Sequence, residues 1–486
     1  MNPLAAIPDE FGALRAMRFE STQGVDKAEI EIPLRSLFVA AGTSPNIIYE
    51  QEKPGTFEVA GKFFRDFEIS GNEVTPGPGA GILKQTAVAP FTSYENAGRR
   101  ISFYGDNHPL YAGNVVKAMA SAKDGYPHLV ALFADALAQA DPAAQATREV
   151  ALQTLFTTLD EALTATIVRV ERLTPTIIDV VVRAPYAARR FEPGQFYRVQ
   201  NFECDAPSIT GTTLGAEGLA LTGAWVDKEA GLISVIALEM GTSSRLCTSW
   251  QPGQKVIVMG VTGSATHIPR NQTALLAGGG LGNAVLFSIG KALRAAGNRV
   301  IYFAGYKKAQ DVFKQDDIEA AADVIVWSVD RSPGAQAPAP RRPQDRAFVG
   351  NIVEAMIAYA TGDLGAVDIR LDSADEFIVI GSDLMMAAVK AARFTTLAPH
   401  LKPGHRAVGS INSPMQCMMK GICAQCMCRH VDPVTGKESF VYSCYNQDQL
   451  LDHVDFPHLR GRLRQNSVQE KLGNLWLTQI APTLAG

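Results

Sequence analysis

The chain has 486 residues, of which 47% are hydrophobic and 19% charged, and its 45 Lys plus Arg against 49 Asp plus Glu give a net charge of −4. That composition is ordinary for a folded protein and excludes disorder, collagen or coiled coil as whole-chain descriptions. The near balance of charge gives no electrostatic footprint for a nucleic-acid partner, and at roughly 150 residues per domain the length predicts three or four domains.

The start, MNPLAAIPDEFGALRAMRFE, lacks a basic region followed by an apolar core, so no secretory leader is expected. Residues 32–42 (IPLRSLFVAAG) read as a strand, and residues 76–81 (PGPGAG) as a loop. The stretch FYGDNHPLYAGNVVKAMASAKDGYPHL predicts a short strand, a glycine-rich turn and a helix from about Gly113. This first segment runs to about residue 142, and an Ala-rich helical bridge (141–163) follows it.

Residues 160–265 change to short β-rich runs, TATIVRVERLT, TIIDVVVRAP, GQFYRVQNFE, GLISVIALEM and QKVIVMGVTG, separated by Gly and Pro turns. That pattern predicts a small antiparallel barrel. From 270 to 400 the strands TALLAGGG, NRVIYFAGY, VIVWSV and EFIVIGS alternate with helices, which predicts a doubly wound parallel sheet. The uncharged stretch 271–290 nears membrane-spanning length, but its glycines fit strand, loop and helix, so no membrane span is expected. Residues 331–345 (RSPGAQAPAPRRPQD) read as an exposed loop, 405–460 as a small metal domain, and 461–486 as a helix and tail.

The sharpest chemical motif is PMQCMMKGICAQCMCRHVDPVTGKESFVYSC: five of the seven cysteines lie between Cys417 and Cys444. Such clustering, with an odd total and no leader, points to metal in a reducing cytoplasm rather than to disulfides. Cys417, Cys423, Cys426 and Cys444 give three thiolates on one tight loop and a fourth on a later strand, the plant-type arrangement for a 2Fe–2S cluster. Five residues separate Cys417 from Cys423, where the plant-type spacing has about four, and Cys428 is an alternative ligand. Structural zinc is the competing reading of the C-x2-C turn. His430 reads as a surface residue, and Cys204 and Cys247 as incidental or buried thiols.

Two further motifs suit phosphates. LLAGGGLGNA ends a strand in glycines and opens a helix, so Gly278, Gly279, Gly280, Gly282 and Asn283 are candidates to meet a dinucleotide pyrophosphate. Gln195, Phe196, Tyr197 and Arg198 of PGQFYRVQ, with Gly241, Thr242, Ser243 and Ser244 of MGTSS, are candidates for a flavin site; an ordinary barrel turn and a Ser-capped helix is the alternative.

In this order of parts, residues 160–460 resemble the ferredoxin–NADP reductase superfamily. With the Cys-rich tail they are similar to the electron-transfer subunit of NAD-dependent dihydroorotate dehydrogenase. The resemblance implies FAD on the barrel, NAD(P) on the parallel sheet and a 2Fe–2S cluster. It places Gly381, Ser382 and Asp383 of IGSDLMM beside the nicotinamide. The family's R-x-Y-[ST] strand matches LALT here, which keeps Thr222 but neither the Arg nor the Tyr, so Gln195, Phe196, Tyr197 and Arg198 stand as substitutes.

The first 140 residues are similar to the C-terminal part of the glutamate synthase small-subunit family of flavin oxidoreductases. The family's leading flavin and nucleotide folds do not precede residue 32. That implies completion by a partner chain or a place at the rear of a longer fused polypeptide, unless the segment is only a docking domain.

A flavin accepts a hydride pair and releases electrons singly, which is what a nicotinamide and an iron pair require of an intermediary. The expected function is an NAD(P)H-linked electron-transfer subunit in a hetero-oligomer with a dihydroorotate dehydrogenase- or glutamate synthase-like catalytic partner. The alternatives are a self-contained NAD(P)H:acceptor reductase and a zinc-stabilised docking subunit. Lys307, Lys308 and Asp311 leave NAD against NADP open, and no acid–base triad is found.

Overall fold

The computed structural model describes residues 1–11, 13–23, 27–40, 45–70, 73–77, 92–96, 99–411, 423–465 and 467–480. The chain divides into two compact units, Met1–Gln139 and Ala140–Gly486.

In the first unit, strands Asn2–Pro8, Leu14–Glu20 and Glu29–Pro33 form an antiparallel sheet that buries Ala16 and Met17. The strand expected over 32–42 stops at Pro33. Leu34 donates its N–H to the Arg15 carbonyl, but no described strand pairs with the residues beyond, and Phe38 is 91% exposed. The loop expected at 76–81 lies mostly outside the described residues. An 18-residue helix, Val115–Leu132, is capped by Asn114, whose side chain accepts from the Lys117 N–H. Ahead of it, Phe57, Phe64, Phe103, His108 and Tyr111 form a run of ring contacts. Burial, with a hydrogen bond to Asp124, pushes the Tyr111 hydroxyl up to about 12.

The second unit opens with helix α1 (Gln145–Leu163), none of whose residues is buried. Six strands then close a barrel: β1 (Ala165–Thr174), β2 (Ile177–Arg183), β3 (Phe196–Asn201), β4 (Leu219–Asp227), β5 (Leu232–Leu238) and β6 (Lys255–Thr262), in the order β1-β2-β5-β4-β3-β6. Strand alternation sends Ile178, Val180 and Val182 of β2 and Ile233, Val235 and Ala237 of β5 into the barrel. Ile177 and Ile236 point outward and share a core with the parallel sheet. The short helix α2 (Thr242–Leu246) follows β5.

The parallel sheet contains β7 (Thr273–Gly279), β8 (Arg299–Tyr306), β9 (Val324–Val329), β10 (Arg346–Val349), β11 (Glu376–Ile380) and β12 (Arg406–Ser410). Helices α3 (Asn283–Ala295), α4 (Ile352–Thr361) and α5 (Asp383–Arg393) connect its strands. Asn351 caps α4 by accepting from the N–H groups of Val353 and Glu354, and Gly362 ends it at φ +85°.

After β12 come the hairpin β13 (Met427–Val431) and β14 (Glu438–Tyr442), then β15 (Asp448–Leu450), α6 (Phe456–Leu463) and α7 (Ser467–Ile480). Strand order in the large sheet is β10-β9-β8-β7-β11-β12-β15, with β15 antiparallel to β12. The chain reverses direction across the sheet between β7 and β11, which creates a crevice at their carboxyl ends, the usual ligand position in such sheets. Within the second unit the parts share cores: Cys428 packs with Phe377 of β11 and Leu459 of α6, as Ile177 of the barrel does with α3. Among the described residues no helix is long and apolar enough to cross a membrane.

Candidate functional site

The crevice between β7 and β11 is lined by close backbone. A Cβ on Gly282 would lie 2.5 Å from the Ile380 carbonyl oxygen, one on Gly279 would lie 2.5 Å from the Met385 sulfur, and one on Gly381 would lie 2.7 Å from the Met385 methyl. Gly280, at φ +55°, faces open space. The two glycine loops therefore meet each other and leave room beside Gly280.

Asn283 closes this loop. Its Nδ2 donates to the Gly280 carbonyl at 2.9 Å, and its Oδ1 accepts from the Tyr302 hydroxyl at 3.0 Å. Ser382 caps α5 by accepting from the Met385 N–H at 3.2 Å. The Asp383 carboxylate accepts from Arg460 Nε of α6 at 2.8 Å.

On the barrel, the four candidates of PGQFYRVQ separate. Gln195 holds its own turn, accepting from the Glu192 N–H at 2.9 Å and donating to the Gly263 carbonyl at 2.9 Å. Tyr197, a candidate for the flavin site, lies on the inner side of β3. Strand alternation turns it into the barrel core, where it is fully buried and stacked on Phe191 at 6.0 Å, and burial raises its hydroxyl pKa. Phe196 faces the other way and pairs in register with Thr222 of β4. Arg198 is half-buried; its Nη1 lies 3.3 Å from the Met259 sulfur, while its buried Nε has no hydrogen-bond partner among the described residues. An orphaned guanidinium nitrogen on the barrel wall suits an anionic group.

The MGTSS loop runs close to Arg198. Ser243 Oγ accepts from the Glu217 N–H at 3.1 Å, and a Cβ on the adjacent Gly218 would overlap the Arg198 guanidinium. Ser244 closes the turn with Gly241. The Thr242 N–H, which the sequence offers to a flavin phosphate, donates to Glu470 of α7.

Of the four expected iron ligands, Cys417 lies outside the described residues. Cys426 and Cys444 are buried together with Phe196. A hydrogen bond from Cys444 holds the Cys426 thiol below the usual range, burial opposes the shift, and Arg462 adds a weaker pull in the same direction. Cys423 Sγ accepts from the Gln425 N–H at 3.4 Å across a turn in which Ala424 sits at φ +56°. Arg462 Nη2 donates to the Gln425 carbonyl at 2.6 Å and supports that turn.

Among the described residues no group of three or more His, Cys, Asp or Glu converges at metal-binding distance. The donor chemistry nevertheless fits iron and sulfide: two buried neighbouring thiols, one of them acidified, and a third sulfur that accepts a backbone amide. Cys428 belongs elsewhere, since it packs with Val454, Phe456 and Leu459 and burial raises its thiol to about 12. His430 was expected at the surface but is 6% exposed, because it shares the inner face of β13 with Cys428. Its Nε2 bonds Gln449 Oε1 at 2.7 Å, and burial lowers its pKa. Cys247 is buried and Cys204 exposed.

Sequence reasoning missed Gln447, which joins the cysteine segment to two barrel turns. It missed Glu470, Arg460 and Arg462 as well. Each acts through a partner distant in the chain, so no local spacing marks it.

No protein-family model matches the chain. It is 29% identical over 405 residues to an uncharacterised protein of Rickettsia prowazekii, covering 82% of this chain and 45% of that one. The chain thus spans less than half the length of that relative. It is 24% identical over 310 residues to the dihydroorotate dehydrogenase B (NAD(+)) electron transfer subunit homolog of Thermotoga maritima, covering 63% of this chain and 93% of that one. Among solved structures it matches an NADH-dependent reduced ferredoxin–NADP oxidoreductase with a TM-score of 0.51 and 22% identity, over 65% of this chain and 98% of the other. The chain is therefore similar in sequence to the dihydroorotate dehydrogenase B electron-transfer subunits and shares the fold of the ferredoxin–NADP oxidoreductase structure.

Proposed function

We propose that this chain carries electrons between a nicotinamide nucleotide and a 2Fe–2S cluster by way of FAD on the barrel wall, and serves a catalytic partner subunit. The observation that carries the reading is the burial of Cys426 and Cys444 against Phe196, which sets two candidate iron ligands directly on the strand expected to carry the flavin. When bound, FAD supplies the exchange between a hydride pair and single electrons.

The chain's own residues bind and orient. Gly279, Gly280, Gly282 and Gly381 give the dinucleotide close access to backbone. Arg198 offers a guanidinium nitrogen to a flavin phosphate. Cys417, Cys423, Cys426 and Cys444 are the proposed iron ligands, with Arg462 supporting the middle turn. A partner subunit is supported by the relatives' description as subunits. The greater length of the Rickettsia relative supports reading residues 1–142 as part of a larger assembly.

The test is anaerobic purification followed by iron, zinc and flavin analysis and a visible spectrum. Loss of the flavin band on adding NADH or NADPH, followed by loss of the iron bands, is the expected sequence. Zinc without iron, in a colourless chain, would establish the docking alternative instead.

A further inference from the structure

We propose that Gln447 is a positioning residue whose amide fixes the Cys444 segment on the barrel, and so sets the separation between the Cys426–Cys444 pair and the flavin side of Phe196. The inference rests on the electron-transfer reading above and adds a residue which that reading does not need.

Gln447 is only 4% exposed. Its Nε2 donates to the Gly194 carbonyl at 3.2 Å and to the Ser264 carbonyl at 2.5 Å, while its Oε1 accepts from the Ser264 N–H at 2.9 Å. Both donors and the acceptor are thus used, as burial of an amide requires. Its partners are backbone groups of two barrel turns, the one that opens the PGQF strand and the one that ends β6. Packing alone could be supplied by Leu or Met. What the amide adds is direction, because three bonds to two separate turns fix the segment in translation and rotation together.

Neighbouring contacts are built to the same end. Thr262 Oγ1 donates to the Cys444 carbonyl at 3.2 Å, and Ser264 Oγ donates to the Tyr445 carbonyl at 2.7 Å. A Cβ on Gly263 would lie 2.6 Å from both Gln447 Oε1 and the Phe196 ring, so this position has to be glycine for the clamp to close. The result is a Cys444 segment held to the barrel by side chain–backbone bonds, with Phe196 packed against Cys444 and Cys426. Electron exchange falls exponentially with separation, so an error here acts on rate before it acts on folding.

The test uses the full chain with Gln447→Met, which keeps volume and loses the bonds, and Thr262→Val, which is isosteric and removes the hydroxyl that donates to the Cys444 carbonyl. In stopped-flow mixing with NADH, Gln447→Met should leave the rate of flavin bleaching within about twofold and slow the following iron bleaching roughly tenfold to a hundredfold. Thr262→Val should shift the iron step in the same direction and less far. After chelation of iron from the same full-length protein, iodoacetamide should label Cys444 about tenfold faster in Gln447→Met, with the barrel-core Cys247 still protected, as local opening requires. Unchanged iron bleaching and unchanged Cys444 labelling in both variants would overturn the proposal. Should Gln447→Met also expose Cys247, the Thr262→Val pair of measurements decides. A wild-type chain with no flavin or iron bands would sink the electron-transfer reading, and the labelling result would still decide whether the clamp exists.

Discussion

The Glu470 carboxylate accepts the backbone N–H of Thr242 at 3.2 Å, one of several bonds that hold helix α7 on the loop expected to meet a flavin phosphate. Asn474 Nδ2 donates to the Met240 carbonyl at 2.7 Å, Arg245 Nη1 donates to Thr478 Oγ1 at 3.1 Å, and Leu477 is fully buried in the barrel core. On the proposed reading, the carboxylate and a flavin diphosphate would compete for the same amide. Glu470→Gln removes the like charge and is expected to tighten FAD binding by about 1.4 kcal/mol, roughly tenfold. Fluorescence-quenching titration checks it, and equal affinity would show that α7 is out of the ligand's way.

Gly282→Ala places a methyl 2.5 Å from the Ile380 carbonyl oxygen, a backbone atom with little room to yield. The overpacking should cost about 1–3 kcal/mol of stability. It should also abolish flavin bleaching by NADH while leaving dithionite bleaching intact. Retained NADH bleaching would remove the dinucleotide from this crevice.

The cysteines sort by environment. Cys444→Ser should lose bound iron, whereas Cys428→Ala, in a separate apolar core, should keep it at a cost of about 1 kcal/mol in denaturant unfolding. Iron analysis of the two variants separates them, and loss of iron in Cys428→Ala would reinstate that residue as a ligand.

Asp448 predicts a pH dependence. Burial raises its carboxyl to about 6 from 3.8, against opposing hydrogen bonds from Thr266 and Ser410. A raised carboxyl pKa means that the folded state holds the proton more tightly than the unfolded chain. The associated stability is fully present below about pH 4 and is lost as the pH rises through about 6, by no more than about 3 kcal/mol. Asp448→Asn should therefore flatten the stability profile between pH 4 and 6 measured by urea unfolding. An identical profile in both proteins would assign the titration elsewhere.

Much of the architecture was legible because its signals are local. TIIDVVVRAP and GLISVIALEM alternate as barrel strands do, and TALLAGGGLGNA announces a buried strand, a glycine loop and a helix. What escaped depends on pairing between distant segments. Three residues, Asp448–Leu450, join the large sheet as an antiparallel edge strand with no periodicity long enough to detect. Arg198 was visible as a cation, but its neighbours Gly218 and Met259 come from a loop and from another strand. The motif PGQFYRVQ does not show which of its residues face the barrel core; alternation along β3 sends Phe196 and Tyr197 to opposite faces.

Helix α6 fastens two distant places within three residues: Arg460 grips Asp383 at the start of α5, beside the β7–β11 crevice, and Arg462 grips the backbone of the thiol turn. An insertion or deletion between them would rotate one grip away from its target while leaving the other in place. The spacing Arg460–Gly461–Arg462 therefore works as a ruler, and a redesign that moves either end must rebuild both.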